Sequence, residues 1–181
     1  MSNESTHDDA QSIDQLTNPR AFRDSDAVEY LTETKTLPNA DFAAVHGDLA
    51  DRGGWAVVGV TNDADALLLM DDGSHGWTLP AIPVDDGGDG AARGREAIEG
   101  LTGRAIDLVG VERVRRLDYH EEDGDGQVTV HHVVLRTEPV AGEPVATEPT
   151  IGCDGSADVG WFDVLPDELE DVVADDARLF L

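Results

Sequence analysis

The apolar residues of this chain are grouped into short runs whose spacing separates strands from helices. Residues 55–60 form a dense run rich in β-branched side chains, and residues 66–70 form a second run after a Thr-Asn-Asp turn. This arrangement predicts that the two runs pair as antiparallel strands. Extended or alternating patterns predict further strands at residues 77–80, 106–119, 127–136 and 159–164.

Helical spacing occurs before, between and after these strands. Val28 and Leu31 mark a short predicted helix, and Pro38-Asn39 begins a second one that ends at Gly53-Gly54. A helix is also predicted at residues 90–101, although its internal glycines lower its helical propensity. A closing helix is predicted at residues 167–181, with an inward face formed by Leu169, Val172 and Val173.

The composition of the N-terminal part divides the chain into three regions. Residues 1–25 are polar and are predicted to be a partly disordered tail, and residues 26–53 a helical extension. Residues 54–181 are predicted to be the main domain, which is long enough to bury a core of its own. The order of its elements predicts an α/β domain with a mixed sheet.

The charge of the chain is far from balanced. It has 39 acidic and 12 basic residues, a formal net charge of -27, and Lys35 is its single lysine. This composition resembles that of proteins from halophiles that accumulate salt, because in molar salt the Debye length falls to about 3 Å and surface carboxylates cease to repel one another at long range. Partial disorder through self-repulsion is the competing interpretation, and the regular apolar segments favour the halophile.

The same charge limits the partners that the chain is expected to have. A phosphate backbone would meet repulsion over most of the surface, so nucleic acid is not an expected partner. The sequence has no apolar run of membrane-spanning length and no apolar core of a signal peptide. Cys153 is the only cysteine, which predicts a reducing compartment, and we expect a cytoplasmic protein.

The segment from Trp77 to Arg104 contains the most informative motif. It reads WTLPAIPVDDGGDGAARGREAIEGLTGR, and it resembles the Nudix box, G-x5-E-x7-R-E-U-x-E-E-x-G-U, which follows a strand ending in a Leu-Pro or Phe-Pro pair. Leu79-Pro80 matches that pair, and without gaps Gly103 falls on the last box glycine. The resemblance implies a Nudix αβα sandwich with a mixed sheet, here preceded by the helical extension.

The resemblance also implies an activity, the metal-dependent hydrolysis of nucleoside diphosphate-linked compounds, with Mg²⁺ or Mn²⁺ held by glutamates of the box helix. In the ungapped frame the Glu-Glu pair of the box falls on Gly100-Leu101 and its Arg-Glu pair on Glu96-Ala97. A one-residue bulge would instead restore Arg95 and Glu96 to the Arg-Glu positions. In both frames the box is degenerate.

Three residues are the remaining candidates for catalysis: Arg95, Glu96 and Glu99. Glu96 and Glu99 lie at i and i+3 of the predicted helix, so they could form a weakened metal site, together with Asp85 or Asp89 from the preceding loop. The alternative is that they are ordinary solvated charges, which a fragment of a motif in a very acidic chain favours.

A substrate site is predicted from residues outside the helix. Arg113 and Arg115 alternate on one strand and could bind a phosphate, or they could pair with neighbouring aspartates. Trp77 could stack on a base or ring. His131 and His132 are adjacent on a strand and point to opposite faces, so one of them could line a cleft.

Two classes of function therefore stay open. In the first, the protein is a divergent Nudix hydrolase with weak or lost activity and a nucleotide-type small molecule as its substrate. In the second, it is a non-catalytic module of the same fold that binds a ligand or another protein. A homodimer is left open in both classes, and the binding of a divalent metal at the box helix would separate them.

The acidic composition predicts that folding depends on salt. Because the net charge is -27, self-repulsion should lower the melting temperature markedly when KCl is reduced from molar to about 0.1 M. Circular dichroism during thermal melts across this range measures the effect, and an unchanged melting temperature would contradict the salt adaptation.

Overall fold

The structure is a computed structural model that describes residues 13–71, 73, 76–141 and 158–181. The strands are β1 (Glu29–Leu37), β2 (Arg52–Gly59), β3 (Leu67–Asp71), β4 (Trp77–Thr78), β5 (Ala81–Asp85), β6 (Leu108–Glu121), β7 (Gln127–Thr137) and β8 (Asp158–Phe162). The helices are α1 (Asn39–Leu49), α2 (Gly90–Thr102) and α3 (Asp171–Ala177), with short 3-10 turns at Pro19–Asp24 and Arg178–Phe180.

Two sheets organise these strands. The larger has five strands in the order β1-β6-β7-β2-β5, and the smaller has the order β4-β3-β8. In the larger sheet β1 is parallel to β6 and β2 is parallel to β7, whereas β6 and β7 form an antiparallel hairpin. The sheet is therefore mixed, as the sequence predicted.

The central strand β2 shows why the domain has layers on both sides of this sheet. Its side chains alternate between faces, so Ala56 and Val58 join the apolar cluster that includes Ile98 of α2. Val57 points the other way and packs in the cluster that contains Ala177 of α3 and Phe180. Helices on opposite faces of a mixed sheet confirm the predicted α/β sandwich.

Helix α2 begins and ends where local chemistry favours it. Asp89 Oδ1 accepts hydrogen bonds from the backbone N–H groups of Ala91 and Ala92, which is the usual N-cap interaction. Gly103 follows the helix with a φ of 66°, a left-handed conformation that glycine adopts without steric cost. These interactions support the predicted helix although its sequence is rich in glycine.

The prediction of a short helix marked by Val28 and Leu31 is wrong, because residues 29–37 form strand β1. Three of its residues are β-branched threonines, which favour extended backbone. The strand is held by parallel pairing along its length to β6, from Glu29 beside Arg113 to Leu37 beside Glu121. The second predicted helix is confirmed as α1.

Other strand and helix predictions also need correction. Residues 67–71 pair with β4 and β8 rather than with β2. Just after β2, the chain meets them in an isolated bridge between Thr61 and Leu67 and in a hydrogen bond from the Leu68 N–H to the carbonyl of Val60. The box loop contains the extra strand β5, antiparallel to β2. The closing helix is shorter than predicted, and it buries Asp176 and Ala177 while Val172 is exposed. Cys153 and the first twelve residues lie outside the described part of the chain.

The α-helices of the described residues are 7 to 13 residues long. None of them combines the length and the apolar composition that a membrane-crossing helix requires.

Replacing each of the two inner glycines of α2 with alanine should change the stability of the domain differently. A Cβ at Gly100 would meet no atom within 4 Å, whereas one at Gly94 would lie 3.2 Å from Val58 Cγ2. Gly100→Ala should raise the free energy of unfolding by about 0.5–1 kcal/mol through helix propensity. Gly94→Ala should lose this gain through crowding against β2. Urea unfolding in molar KCl compares them, and equal stabilisation by both would contradict close packing at Gly94.

Candidate functional site

A cavity of about 340 Å³ opens on the α2 face of the larger sheet. Its floor is formed by β2 and β7, with Ala56, Thr129, His131 and Val133 among the lining residues. Its walls include residues 16–20 of the N-terminal segment and the loop between β5 and α2. The volume falls within the range of about 300–1,000 Å³ that is typical of small-molecule sites.

His131 is the central polar group of this floor. Its side chain is largely buried, and Tyr30 Oη lies 3.5 Å from its Nε2. Burial lowers the pKa of His131, and the positive charges of Arg20 and Arg116 lower it further. The imidazole is therefore neutral at pH 7, so it presents one donor and one acceptor to its surroundings.

A second polar group of the floor, Thr129, is fixed by a network beneath the cavity. Thr129 Oγ1 donates to Asp118 Oδ1 at 2.5 Å, and Arg116 Nε donates to the same oxygen at 3.0 Å. Burial tends to raise the pKa of Asp118, but these hydrogen bonds outweigh it and hold the pKa below its ordinary value. Because the hydroxyl proton is committed to Asp118, Thr129 can only accept a hydrogen bond from a ligand.

The N-terminal segment, from Ile13 to Arg20, is attached to α2 by hydrogen bonds from both backbone and side chains. Leu16 N–H donates to Asp89 Oδ1 at 2.9 Å, and Gly90 N–H donates to the carbonyl of Leu16 at 2.8 Å. Arg95 Nη2 donates to the carbonyl of Ile13 at 2.8 Å. Arg95, a candidate for catalysis, therefore holds the segment that covers one side of the cavity.

Two of the three carboxylates predicted to bind metal are engaged elsewhere. Glu96 lies on the outer side of α2 with its side chain 75% exposed, and its Oε2 is 3.2 Å from Arg93 Nη1. Glu99 Oε1 accepts a hydrogen bond from the backbone N–H of Ile106 at 3.3 Å. Neither of these residues lines the cavity, whereas the third carboxylate, Asp85, does.

Helix α2 is regular along its whole length. It runs from Gly90 to Thr102 without interruption, and Gly103 stands in the left-handed conformation at its end. The metal positions that the resemblance implies in the ungapped frame would fall on Ala97, Gly100 and Leu101, and the Leu101 side chain is buried in the core. Within the described ranges, no group of three or more His, Cys, Asp or Glu residues is arranged to hold a metal ion.

Arg113 and Arg115 lie on the opposite face of the sheet from the cavity. Arg113 Nη1 is 2.6 Å from Asp176 Oδ1, and Arg113 Nε also donates to Glu29. Arg115 Nη1 is 3.1 Å from Asp176 Oδ2. Burial opposes the charge of Arg113, but its carboxylate partners raise the pKa above its ordinary value. The arginines pair with aspartates, the alternative that the sequence left open, and the structure does not bring them to the cavity.

The remaining aromatic and histidine candidates are structural in this arrangement. Trp77 packs edge-on against Phe162 at a centroid distance of 4.9 Å, within the smaller sheet. His132 packs against Trp55 on the face of α3, and burial lowers its pKa to about 4. The two histidines point to opposite faces, as predicted, and it is His131 that lines the cavity.

The cavity wall formed by residues 16–20 was not predicted from the sequence, because the polar composition of these residues is typical of a tail. One signal was present: Ile13 and Leu16 are apolar at a spacing of three, and both pack on the main core. Arg20, which lines the cavity, was missed for the same reason.

Comparison with known proteins gives a structural match and no sequence match. Neither a protein-family model nor a curated protein matches the chain. Among solved structures, the chain is similar to a MutT Nudix hydrolase from Burkholderia pseudomallei, with 18% identity and a TM-score of 0.45 over 81% of this chain and 97% of the other. At this level of similarity, neither a reaction nor a substrate transfers to the present chain.

Asp176 should contribute more to stability than its neighbour Asp175. The Asp176 side chain is 7% exposed and contacts both arginines, whereas that of Asp175 is 55% exposed. Asp176→Asn should lower the free energy of unfolding by about 3 kcal/mol, because it leaves buried cations with incomplete pairing. Asp175→Asn should cost less than about 1 kcal/mol. Urea unfolding in molar KCl measures both, and similar values for the two variants would contradict the assignment.

Proposed function

We propose that this protein is a small-molecule-binding module with a Nudix-like fold whose box helix no longer supports metal-dependent hydrolysis of diphosphates. One observation carries the proposal: the cavity and the remaining carboxylates of the box helix are separate. Glu96 and Glu99 contact Arg93 and the backbone of Ile106, and neither lines the cavity. A metal held by these two residues would therefore not face a ligand bound in the cavity.

The metal that the resemblance implies does not fit the residues present. Mg²⁺ requires near-octahedral oxygen ligands, of which the protein usually supplies one or more carboxylates directed at the same point. The three metal positions of the box hold Ala97, Gly100 and Leu101, none of which offers a side-chain oxygen. No catalytic step through a metal is assigned to this site.

The lining of the cavity favours a ligand with an apolar or aromatic body and an anionic group. Leu16, Ala56 and Val133 provide an apolar surface, and the neutral His131 and Thr129 provide hydrogen-bonding groups within it. Arg20 is the cation among the lining residues. A nucleotide-type small molecule has this combination, and its phosphate would bind on the side of Arg20, away from the carboxylates of Asp85 and Asp86.

The alternative function is a weak hydrolase in which Asp85, Glu96 and Glu99 hold Mg²⁺ or Mn²⁺. It is favoured by the position of Asp85 at the border of the cavity. It is disfavoured by the separation of these carboxylates, because Glu96 lies six residues beyond the start of the helix at Gly90, or about 9 Å further along the helix axis. Ligand binding and cleavage, measured on the same samples, distinguish the two functions.

Ligand binding is tested with a matched pair of arginines on the same 3-10 turn. Arg20 lines the cavity, whereas Arg23 lies on the same turn without lining it. Thermal shift in molar KCl with a panel of nucleoside mono- and diphosphates should identify a ligand. Arg20→Ala should lower the affinity for that ligand at least about tenfold, because a charge-assisted hydrogen bond is lost. Arg23→Ala should bind like the wild type. Equal losses in both variants would contradict the assigned site.

Catalysis is tested on the same samples by adding Mn²⁺ and following cleavage of diphosphate-linked nucleotides. We expect binding without cleavage, and calorimetry without a metal site that responds to Glu96→Gln. Cleavage that is lost in Glu96→Gln would contradict the non-catalytic function and support the hydrolase.

A further inference from the structure

Strand β1 forms an open edge of the larger sheet. Its pairing partner is β6, and no strand of the described chain pairs with its other side. All nine of its residues are exposed or half-buried. At the opposite edge, β5 contains the exposed Pro83, which has no N–H group to offer to a further strand. β1 contains no proline or glycine and leaves backbone groups available for pairing.

The sequence of β1 is complementary to itself when reversed. From Leu31 to Leu37 it reads LTETKTL, so that chemically matched residues lie at equal distances on both sides of Thr34. If two copies run antiparallel and meet at Thr34, each Leu31 lies opposite the Leu37 of the other copy. Each Glu33 then lies opposite Lys35, and each Thr32 opposite Thr36. Opposite charges and matched side chains in such cross-strand pairs are stabilising.

We propose that β1 is a dimerisation edge, where two copies of this chain pair their β1 strands antiparallel about a two-fold axis at Thr34. The two five-stranded sheets would then join into one continuous sheet through an isologous contact, in which the same residues are used by both copies. Such pairing would also cover the unpaired backbone groups of this edge strand, which proteins otherwise protect from unwanted association.

The charges of β1 support a second copy as the partner. Lys35 is the single lysine of a chain with a net charge of -27. No carboxylate of the described residues lies within ion-pair distance of Lys35. Glu33 contacts Arg115 at 3.5 Å, yet its side chain stays 47% exposed and can accept a second cation. A lone edge lysine usually hinders strand pairing, but here the second copy places a glutamate opposite it.

Two variants with the same change of charge test the electrostatic part. Lys35→Glu would set two carboxylates against each other at both of the positions where Glu33 faces Lys35 in the dimer. Arg93→Glu makes the same change of charge on the exposed side of α2. Sedimentation in molar KCl should show the wild type and Arg93→Glu at twice the chain mass of 19.3 kDa. Lys35→Glu should weaken the dimer by about tenfold or more, since two attractive pairs become repulsive.

Single cysteines introduced in a Cys153→Ser background test the register of the two β1 strands independently of the strength of the dimer. In an antiparallel pair the Cα atoms of opposed residues are about 4.5–5.5 Å apart, within the range of a disulfide. Thr34→Cys should therefore give a disulfide-linked dimer on mild oxidation. In this register Thr32 lies four residues from Thr32 of the other copy, or about 13 Å, so Thr32→Cys should not cross-link.

Three results would overturn the proposal. A wild-type chain that stays monomeric in molar KCl at roughly 100 μM, about the range of weak specific association, would exclude the dimer. A dimer in which Lys35→Glu and Arg93→Glu behave alike would exclude the charge pairing. A dimer in which Thr34→Cys fails to cross-link, or in which Thr32→Cys cross-links equally, would place the contact elsewhere.

Discussion

The buried pairing of Arg113 and Arg115 with Asp176 is the interaction on which the arrangement of this domain depends. It joins strand β6 to helix α3, and Glu29 and Glu33 extend it to strand β1. Two cations buried this deeply are costly unless carboxylates surround them. Because β1, β6 and α3 all contribute charges, the chain must place β1 beside β6 in the sheet and α3 over the face of the two arginines to satisfy them.

This pairing on one face leaves the other face free for the cavity. Side chains alternate along β6, so Arg113 and Arg115 point towards α3 while Arg116 and Asp118 point the other way and fix Thr129 in the cavity floor. Helix α2 bounds the same face, and its polar residues now have structural partners. Asp89 and Arg95 hold the N-terminal segment, and Glu99 holds the backbone of Ile106. Helix α2 thus supports the cavity wall.

The sequence predicted the elements that are specified locally. Helix α2 was predicted from the composition of residues 90–101, and strands β2 and β7 from their apolar runs. Strand β1 was missed because its half-exposed side chains carry little apolar periodicity and its stability comes from distant partners. The role of Arg113 could not be decided from sequence, since its partner Asp176 lies 63 residues away. The cavity was missed because the residues of its N-terminal wall resemble a polar tail.

The central claim that we propose is that α2 carries no metal site and that a ligand binds at the cavity instead. The most direct measurement is the broadening of amide NMR signals by Mn²⁺, added in low proportion to the protein in molar KCl. We expect weak, diffuse broadening over the acidic surface, with no preference for residues 96–101 of α2. Selective loss of the signals of Glu96 to Leu101 at low Mn²⁺ would show a specific metal site on this helix and would contradict the claim.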